Sequence, residues 1–339
     1  ARKWIFPDSA KCFSDLNHIF NQLDADWYEI DSNLIDEPDP DCIVKKVVYR
    51  GNTKYYIWSP INWVHTYVLM ELTLRGVQIA YNDSGEGDSQ IPDIDKNGKI
   101  FWRENDGPLA GQTKNQSFVK KYHDNQLGYF VTSNKTSKNY ASFSVPWIPI
   151  KVAYWLIKLR NWQTKYNPIK VATPWVELTR TNLNHMQLKA KGSNCFLFRG
   201  FGQVEPISFQ AALADRIAVA LYYTQPEELN LADCESKKFQ SVSHYKSQFT
   251  PHCLRVGLIS ALIFEFGLSP EVVMKIVGHS AIVMTIYYAK INSSDLRKRM
   301  EEGEKKALKN KTFAIQRHIE QQKISQIKNE EQLVANSEE

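Results

Sequence analysis

FTPHCLRVGLISALIFEFGLSPEVVMKIVGHSAIVMTIYYAKI, residues 249–291, decides how the rest of the chain reads. His252 and Arg255 stand three residues apart, so one helical turn puts them on one face. The apolar run 258–266 predicts a core helix, and Gly267 predicts its end. Ser269, Pro270 and Glu271 supply an N-cap, a first helical residue and an acidic first turn for the next helix. Gly278 closes that helix and His279 follows at once. Ile282, Thr285 and Tyr288 recur at helical spacing, which predicts a third short helix with one shared face. Basic side chains, a second histidine and a tyrosine are thus delivered by helix ends packed on one core. Such a set can bind a phosphodiester and attack it.

The pattern H-x-x-R, then V-G-H-S, then a tyrosine nine residues after that histidine resembles the tyrosine recombinase (phage integrase) family. The resemblance covers about residues 61–291. It implies the fold of that family's catalytic domain, mainly α with a small antiparallel β-sheet (α+β). It implies that His252, Arg255 and His279 surround a scissile phosphate and that Tyr288 is the nucleophile. Tyr287 points about 100° away from Tyr288 on a helix, so only one of them enters the site. The residues after the arginine, Val256, Gly257 and Leu258, depart from the polar or small residues usual in the family.

Two more family positions lie upstream. The family's first catalytic arginine ends an apolar helix in a T-G-x-R-x-x-E context. Here the residues are Thr73, Leu74, Arg75, Gly76, Val77 and Gln78. Arg75 takes that role, the preceding glycine is absent, and Gln78 replaces the glutamate with an uncharged acceptor. The family also carries a lysine on a β-turn, as K-T before a strand ending in V-P. Lys135-Thr136 with Val145-Pro146 matches, and Lys138 is the nearby alternative.

The chain has 339 residues, 43% hydrophobic and 23% charged, enough for one large or two modest domains. No apolar run approaches membrane-spanning length and no signal peptide is visible. The first residue is Ala1, so the chain reads as a fragment or a processed product. Five scattered cysteines form no C-x-x-C pair, which argues against a zinc site and a disulfide framework. A reduced cytoplasm is the expected compartment, with nucleoid association through DNA. The resemblance implies no metal, ATP or other cofactor.

Charge is unevenly spread. Residues 1–40 carry nine acids against three Lys or Arg, whereas residues 110–200 carry fourteen Lys or Arg against Asp124 and Glu177. Hydroxyls and aromatics interleave with those lysines, as on a polyanion-binding face. Lys120, Lys121, Lys138 and Lys151 are the candidate DNA contacts there, and double-stranded DNA is the expected partner.

Three domains are expected: a flanking segment 1–60 (helix plus hairpin), the catalytic domain 61–294, and a charged helical tail 295–339. In the first, Phe13, Leu16, Ile19, Phe20 and Leu23 predict an amphipathic helix, and residues 43–57 a hairpin turning at Gly51-Asn52. A separate N-terminal clamp domain, usual in the family, is expected outside this chain. Within the second, helices are predicted at 61–74, 147–165 and 207–223, and a hairpin at 127–146. Residues 82–99 read as an exposed loop, 168–195 as a basic linker-like stretch and 226–248 as a polar surface crossing. Asp93 to Gly98 (DIDKNG) resembles the start of a calcium loop but lacks the distal glutamate. The tail carries ten Lys or Arg against nine acids and a thin apolar stripe. It either docks on a neighbouring protomer, as implied by a family that assembles as a tetramer on two DNA sites, or is solvated.

The expected reaction is cleavage and rejoining of DNA strands through a 3′-phosphotyrosyl link. A DNA-binding protein that kept the fold and lost the chemistry, and a type IB topoisomerase, are the competing readings.

Overall fold

The computed structural model describes residues 6–16, 23–36, 38–122, 126–135, 137–236 and 241–279. All fall within the first of two units, Ala1–Ala289. Tyr287, Tyr288 and the tail 295–339 lie outside the described residues.

The first described element is a short 3-10 turn, Phe13–Leu16, and the expected amphipathic helix through Ile19 and Phe20 falls largely outside the described residues. Phe13 and Leu16 are nonetheless buried. Strands β1 (Trp27–Ile30), β2 (Val44–Tyr49) and β3 (Asn52–Trp58) form an antiparallel sheet ordered β1-β3-β2. The β2–β3 turn lies one residue earlier than expected. Tyr49 pairs with Asn52, leaving Arg50 and Gly51 as the two turn residues at φ 48° and 81°. A two-residue hairpin turn needs positive φ at both positions, and its twist matches that of the strands.

Helix α1 (Ile61–Glu71) follows Pro60, with Trp63, Val64, Tyr67 and Val68 in the core. It is shorter than the predicted 61–74, because Leu72 is extended and the chain continues through buried Thr73 and Leu74. Arg75 then caps a five-residue helix, α2 (Gly76–Ala80).

Residues 82–99 are not an exposed loop. Residues 82–88 are buried, and β4 (Gln90–Ile94) pairs with β5 (Ile100–Glu104) around the DIDKNG turn. Polar side chains are buried here because protein groups replace water around them. Asp83 accepts from Gly85 N (2.7 Å), Gln116 Nε2 (2.8 Å) and Cys195 N (2.9 Å). Glu86 pairs with buried Arg199 at 2.6 Å. Burial, and then Asp88, push the Asp83 carboxyl up to about 7.

A second three-stranded sheet joins β6 (Val119–Lys121), β7 (Leu127–Val131) and β8 (Phe143–Val145). The predicted hairpin 127–146 is present as β7–β8, with β6 as an added edge. Helix α3 (Ile150–Tyr166) crosses the core through Trp155, Leu156, Leu159 and Trp162.

The expected linker 168–195 is a folded unit. It holds β9 (Thr173–Pro174), α4 (His185–Lys191) and β10 (Ser193–Asn194), with β9 and β10 paired. Trp175, Leu178, Leu183, Leu188 and Phe196 form its own cluster. Those residues follow no single period, so periodicity could not reveal them. Asn184 and Gln187 build a reciprocal cap at the start of α4.

Helix α5 (Phe209–Thr224) places Leu213, Ile217 and Ala220 in the main core. A two-residue ladder, β11 (Asp233–Cys234) with β12 (Tyr245–Lys246), precedes the last helices, α6 (Pro251–Phe264) and α7 (Pro270–Val277). The run 258–266 is less buried than its composition suggested. Only Ile259 is fully buried, against Val273 and Val277, and Phe266 is exposed. The fold is thus mixed α+β, with more sheet than the single small one expected. No helix among the described residues is long and apolar enough to cross a membrane.

Candidate functional site

Thr250 Oγ1 accepts from Cys253 N and Pro251 occupies the first turn, so α6 starts where its sequence predicts. His252 is exposed in that first turn. Arg255, one turn on, is buried. Its Nη1 donates to Thr73 O, and its Nη2 donates to Val277 O at 3.3 Å and contacts His279 Nε2 at 3.2 Å. A guanidinium only donates, so Nε2 is the acceptor and the imidazole proton sits on Nδ1. One side chain therefore ties the segment after α1 to the end of α7.

Ser269 caps α7, and Gly278 closes it at φ 70°. His279 N then donates back to Met274 O at 3.0 Å. A side chain at 278 would meet the Phe143 ring at 2.7 Å and Asn134 Nδ2 at 3.1 Å. The glycine thus serves both the left-handed turn and the close approach of β8. Burial, and then the charges of Arg255 and Arg75, lower the His279 ring from 6.5 to about 4. It is a neutral imidazole at pH 7.

Arg75 reaches this neighbourhood from the other side. Gln78 Oε1 accepts from Arg75 N at 2.8 Å, and Gln78 Nε2 donates to Asn134 Oδ1 at 3.2 Å. Asn134 Nδ2 donates to Gly278 O at 2.6 Å. Three segments distant in sequence are therefore joined by two amides, each used as donor and acceptor. A glutamate at 78 could not donate to Asn134, so the departure from the family's residue is matched by its neighbour. Arg75 Nη1 is buried without a hydrogen-bond partner, and Arg75 forms no ion pair among the described residues.

Lys135 is exposed on the turn after β7, next to Asn134. Tyr129 Oη, on β7, donates to Ile276 O at 2.6 Å. Lys191, from α4, donates to Thr132 O (2.7 Å) and Tyr140 O (3.0 Å), with its ammonium 5.0 Å from the Trp175 ring centroid. Burial lowers it to about 8. It braces both ends of the turn that bears Lys135.

The structure thus gathers Arg75, Arg255 and His279, with the Lys135 backbone tied in through Asn134. His252 lies one turn from Arg255 and Tyr288 lies outside the described residues. Lys138 begins a short 3-10 turn, Lys138–Tyr140. Lys120 and Lys121 stand on β6, the former over the Phe130 ring at 4.8 Å. Lys151, in the first turn of α3, pairs with Asp8. Sequence reasoning missed Asn134 and Lys191. The only local signal was the place of Asn134 beside Lys135. Lys191 looked like any lysine in a basic stretch.

A family model described as "Putative integrase" matches residues 1–176, more than half of the 339. That match and the 249–291 motif occupy separate parts of the sequence. The chain belongs to the integrase family that this model describes. Among solved structures it is similar to the XerA recombinase, at 14% identity over 72% of this chain and 58% of that one, with a TM-score of 0.34. It is likewise similar to the Tn1549 transposon integrase in complex with transposon right end DNA, at 14% identity over 71% and 58%, with a TM-score of 0.35. The chain spans less than two thirds of the length of these structures. No curated protein matches it.

Proposed function

We propose that this protein is a DNA recombinase/integrase that breaks and rejoins strands through a tyrosine–phosphate bond. The observation that carries the reading is Arg75 Nη1, a buried cationic donor without a hydrogen-bond partner among the described residues, whose charge acts on the His279 ring paired with Arg255. A buried guanidinium donor is costly unless it meets an acceptor, and a phosphodiester oxygen is a charged one.

The reaction assigns each residue one task. Tyr288 Oη attacks phosphorus, forming a P–O bond as the P–O5′ bond breaks. His252, exposed at the start of α6, takes the tyrosine proton. Lys135 gives a proton to the departing 5′ oxygen from its turn. A phenol with pKa near 10 needs that base and an oriented phosphate to react at neutral pH. Arg75 contacts the non-bridging oxygens. Arg255 adds positive charge while holding Thr73 O and Val277 O, and Nδ1–H of His279 is a further donor. The phosphotyrosyl link keeps the bond energy, so a second 5′ hydroxyl reverses it without ATP. Duplex DNA, held in part by Lys120, Lys121 and Lys138, is the substrate. The expected working form is four protomers on two sites, joined through the tail 295–339.

Arg75→Ala tests the assignment on a nicked duplex substrate. Cleavage should fall by roughly 10²–10³ while duplex binding changes little, as for loss of one transition-state donor. Unchanged cleavage would remove Arg75 from the site. Nicking without rejoining to a second strand, together with relaxation of supercoils at many sites, would favour the topoisomerase reading.

A further inference from the structure

We propose that the β2–β3 ribbon is a second DNA-binding element, separate from the cleavage site, whose tip enters the major groove. This rests on the reading of the chain as a DNA-binding integrase.

Strand β1 covers β3 only from Tyr55 to Trp58. Beyond that, Val47↔Lys54, Val48↔Thr53 and Tyr49↔Asn52 pair as two strands alone. From Lys46 to Lys54 every residue is exposed, including Val48 (63%) and Tyr49 (65%). A two-stranded hairpin without a covered face is marginal in water, so a partner surface is expected.

Charge decides which partner. Strands β2 and β3 and their turn carry Lys45, Lys46, Arg50 and Lys54 and no acid. Lys45 and Lys54 pair with Asp24 and Glu29, but these pairs are largely exposed and weak. Lys46 and Arg50 form no ion pair among the described residues. Arg50 lies 5.1 Å from the Tyr49 ring centroid, and Lys45 lies 4.5 Å from that of Trp27. Cations interleaved with aromatics suit a polyanion, and two copies of such a ribbon would repel each other. The shape agrees: a major groove about 12 Å wide admits a two-stranded ribbon. Along the chain, helix α1 separates β3 from Arg75, and its eleven residues span roughly 16 Å. The ribbon would therefore grip duplex flanking the cleaved phosphate.

The test uses the full chain and a 30-bp duplex of arbitrary sequence, with affinity measured across a salt series. The double variant Lys46→Ala/Arg50→Ala should bind on the order of tenfold more weakly near physiological salt. Its log affinity against log salt should be less steep by about 2, since each phosphate that a cation neutralises adds about 0.9 to the slope. The matched control is Lys96→Ala/Lys99→Ala, on the exposed turn of the β4–β5 hairpin, which also carries Asp93 and Asp95. It removes the same charge and should keep the parental slope. All four side chains are exposed, so thermal midpoints should match the parent. If the parent binds with a steep slope and the ribbon variant keeps it, the ribbon proposal is overturned and the integrase reading stands. If both double variants lose slope equally, only net charge matters and the proposal fails. Loss of self-association with an unchanged slope would make the ribbon a protein-binding element and overturn it. A parent that binds no DNA would overturn the integrase reading itself, and the ribbon with it.

Discussion

Asn134→Asp is the most informative single change, because it keeps shape and exchanges one donor for an acceptor. In the parent, Asn134 accepts from Gln78 Nε2 and donates to Gly278 O at 2.6 Å while almost fully buried. The variant can still accept from Gln78. It cannot donate to Gly278, and it sets a carboxylate oxygen against a carbonyl. Removing one partner of a buried hydrogen bond costs roughly 1–3 kcal/mol, more when the group left is charged. A loss of about 2–4 kcal/mol is therefore expected near pH 7.5. Protonation restores an O–H donor, so the gap to the parent should shrink by pH 5. Urea unfolding followed by tryptophan fluorescence, on both proteins at both pH values, reads this directly. A gap under about 0.5 kcal/mol at pH 7.5 would refute the reasoning, since that is the scatter of ordinary surface substitutions. So would a gap that does not change on acidification.

Other outcomes follow from the same site. The ring of His279 is held neutral down to about 4, against 6.5 when unfolded. The unfolded chain therefore takes up this proton first as pH falls. The contribution is full above 6.5 and lost by about 4, at most about 3 kcal/mol. His279→Gln should flatten the stability profile across that window, and an unchanged profile would mean the ring is not buried beside Arg255. Lys135→Ala should cleave an ordinary phosphodiester slowly and a 5′-bridging phosphorothiolate well, because a thiolate leaves without a proton. Arg255→Ala should not be rescued in that way. Rescue of Lys138→Ala instead would move the acid three residues along the turn. Tyr287→Phe should leave adduct formation intact, and its loss there would shift the nucleophile by one residue.

The helix ends were legible in the sequence because capping chemistry is local. Ser269-Pro270, Gly267 and Gly278 each need only their own neighbours to set the chain's direction, and each does what its type predicts. The spacing of Arg255 and His279 was legible for the same reason. What joins them was not. The amide relay from Gln78 through Asn134 to Gly278 links positions 56 and 144 residues apart, and no local pattern encodes such a partner. Residues 82–88 misled in the opposite sense. Asp, Ser and Gly at that density imply solvent, but Gln116, Cys195 and Arg199 supply the missing bonds from elsewhere in the chain. The small cluster around Trp175 was hidden because its apolar residues come from a 3-10 turn, a helix and irregular segments with no common period.

The central claim is a covalent intermediate, and one measurement reaches it. The full chain is incubated with a nicked duplex taken from the DNA flanking its own gene, where a broken strand cannot rejoin. The products are resolved under denaturing conditions and the attached residue is mapped. The account predicts a protein–DNA adduct on Tyr288 that is absent in Tyr288→Phe, with duplex binding nearly unchanged in that variant. Steep, salt-sensitive binding without any adduct from the parent would contradict it and leave a DNA-binding protein that keeps this fold without its chemistry.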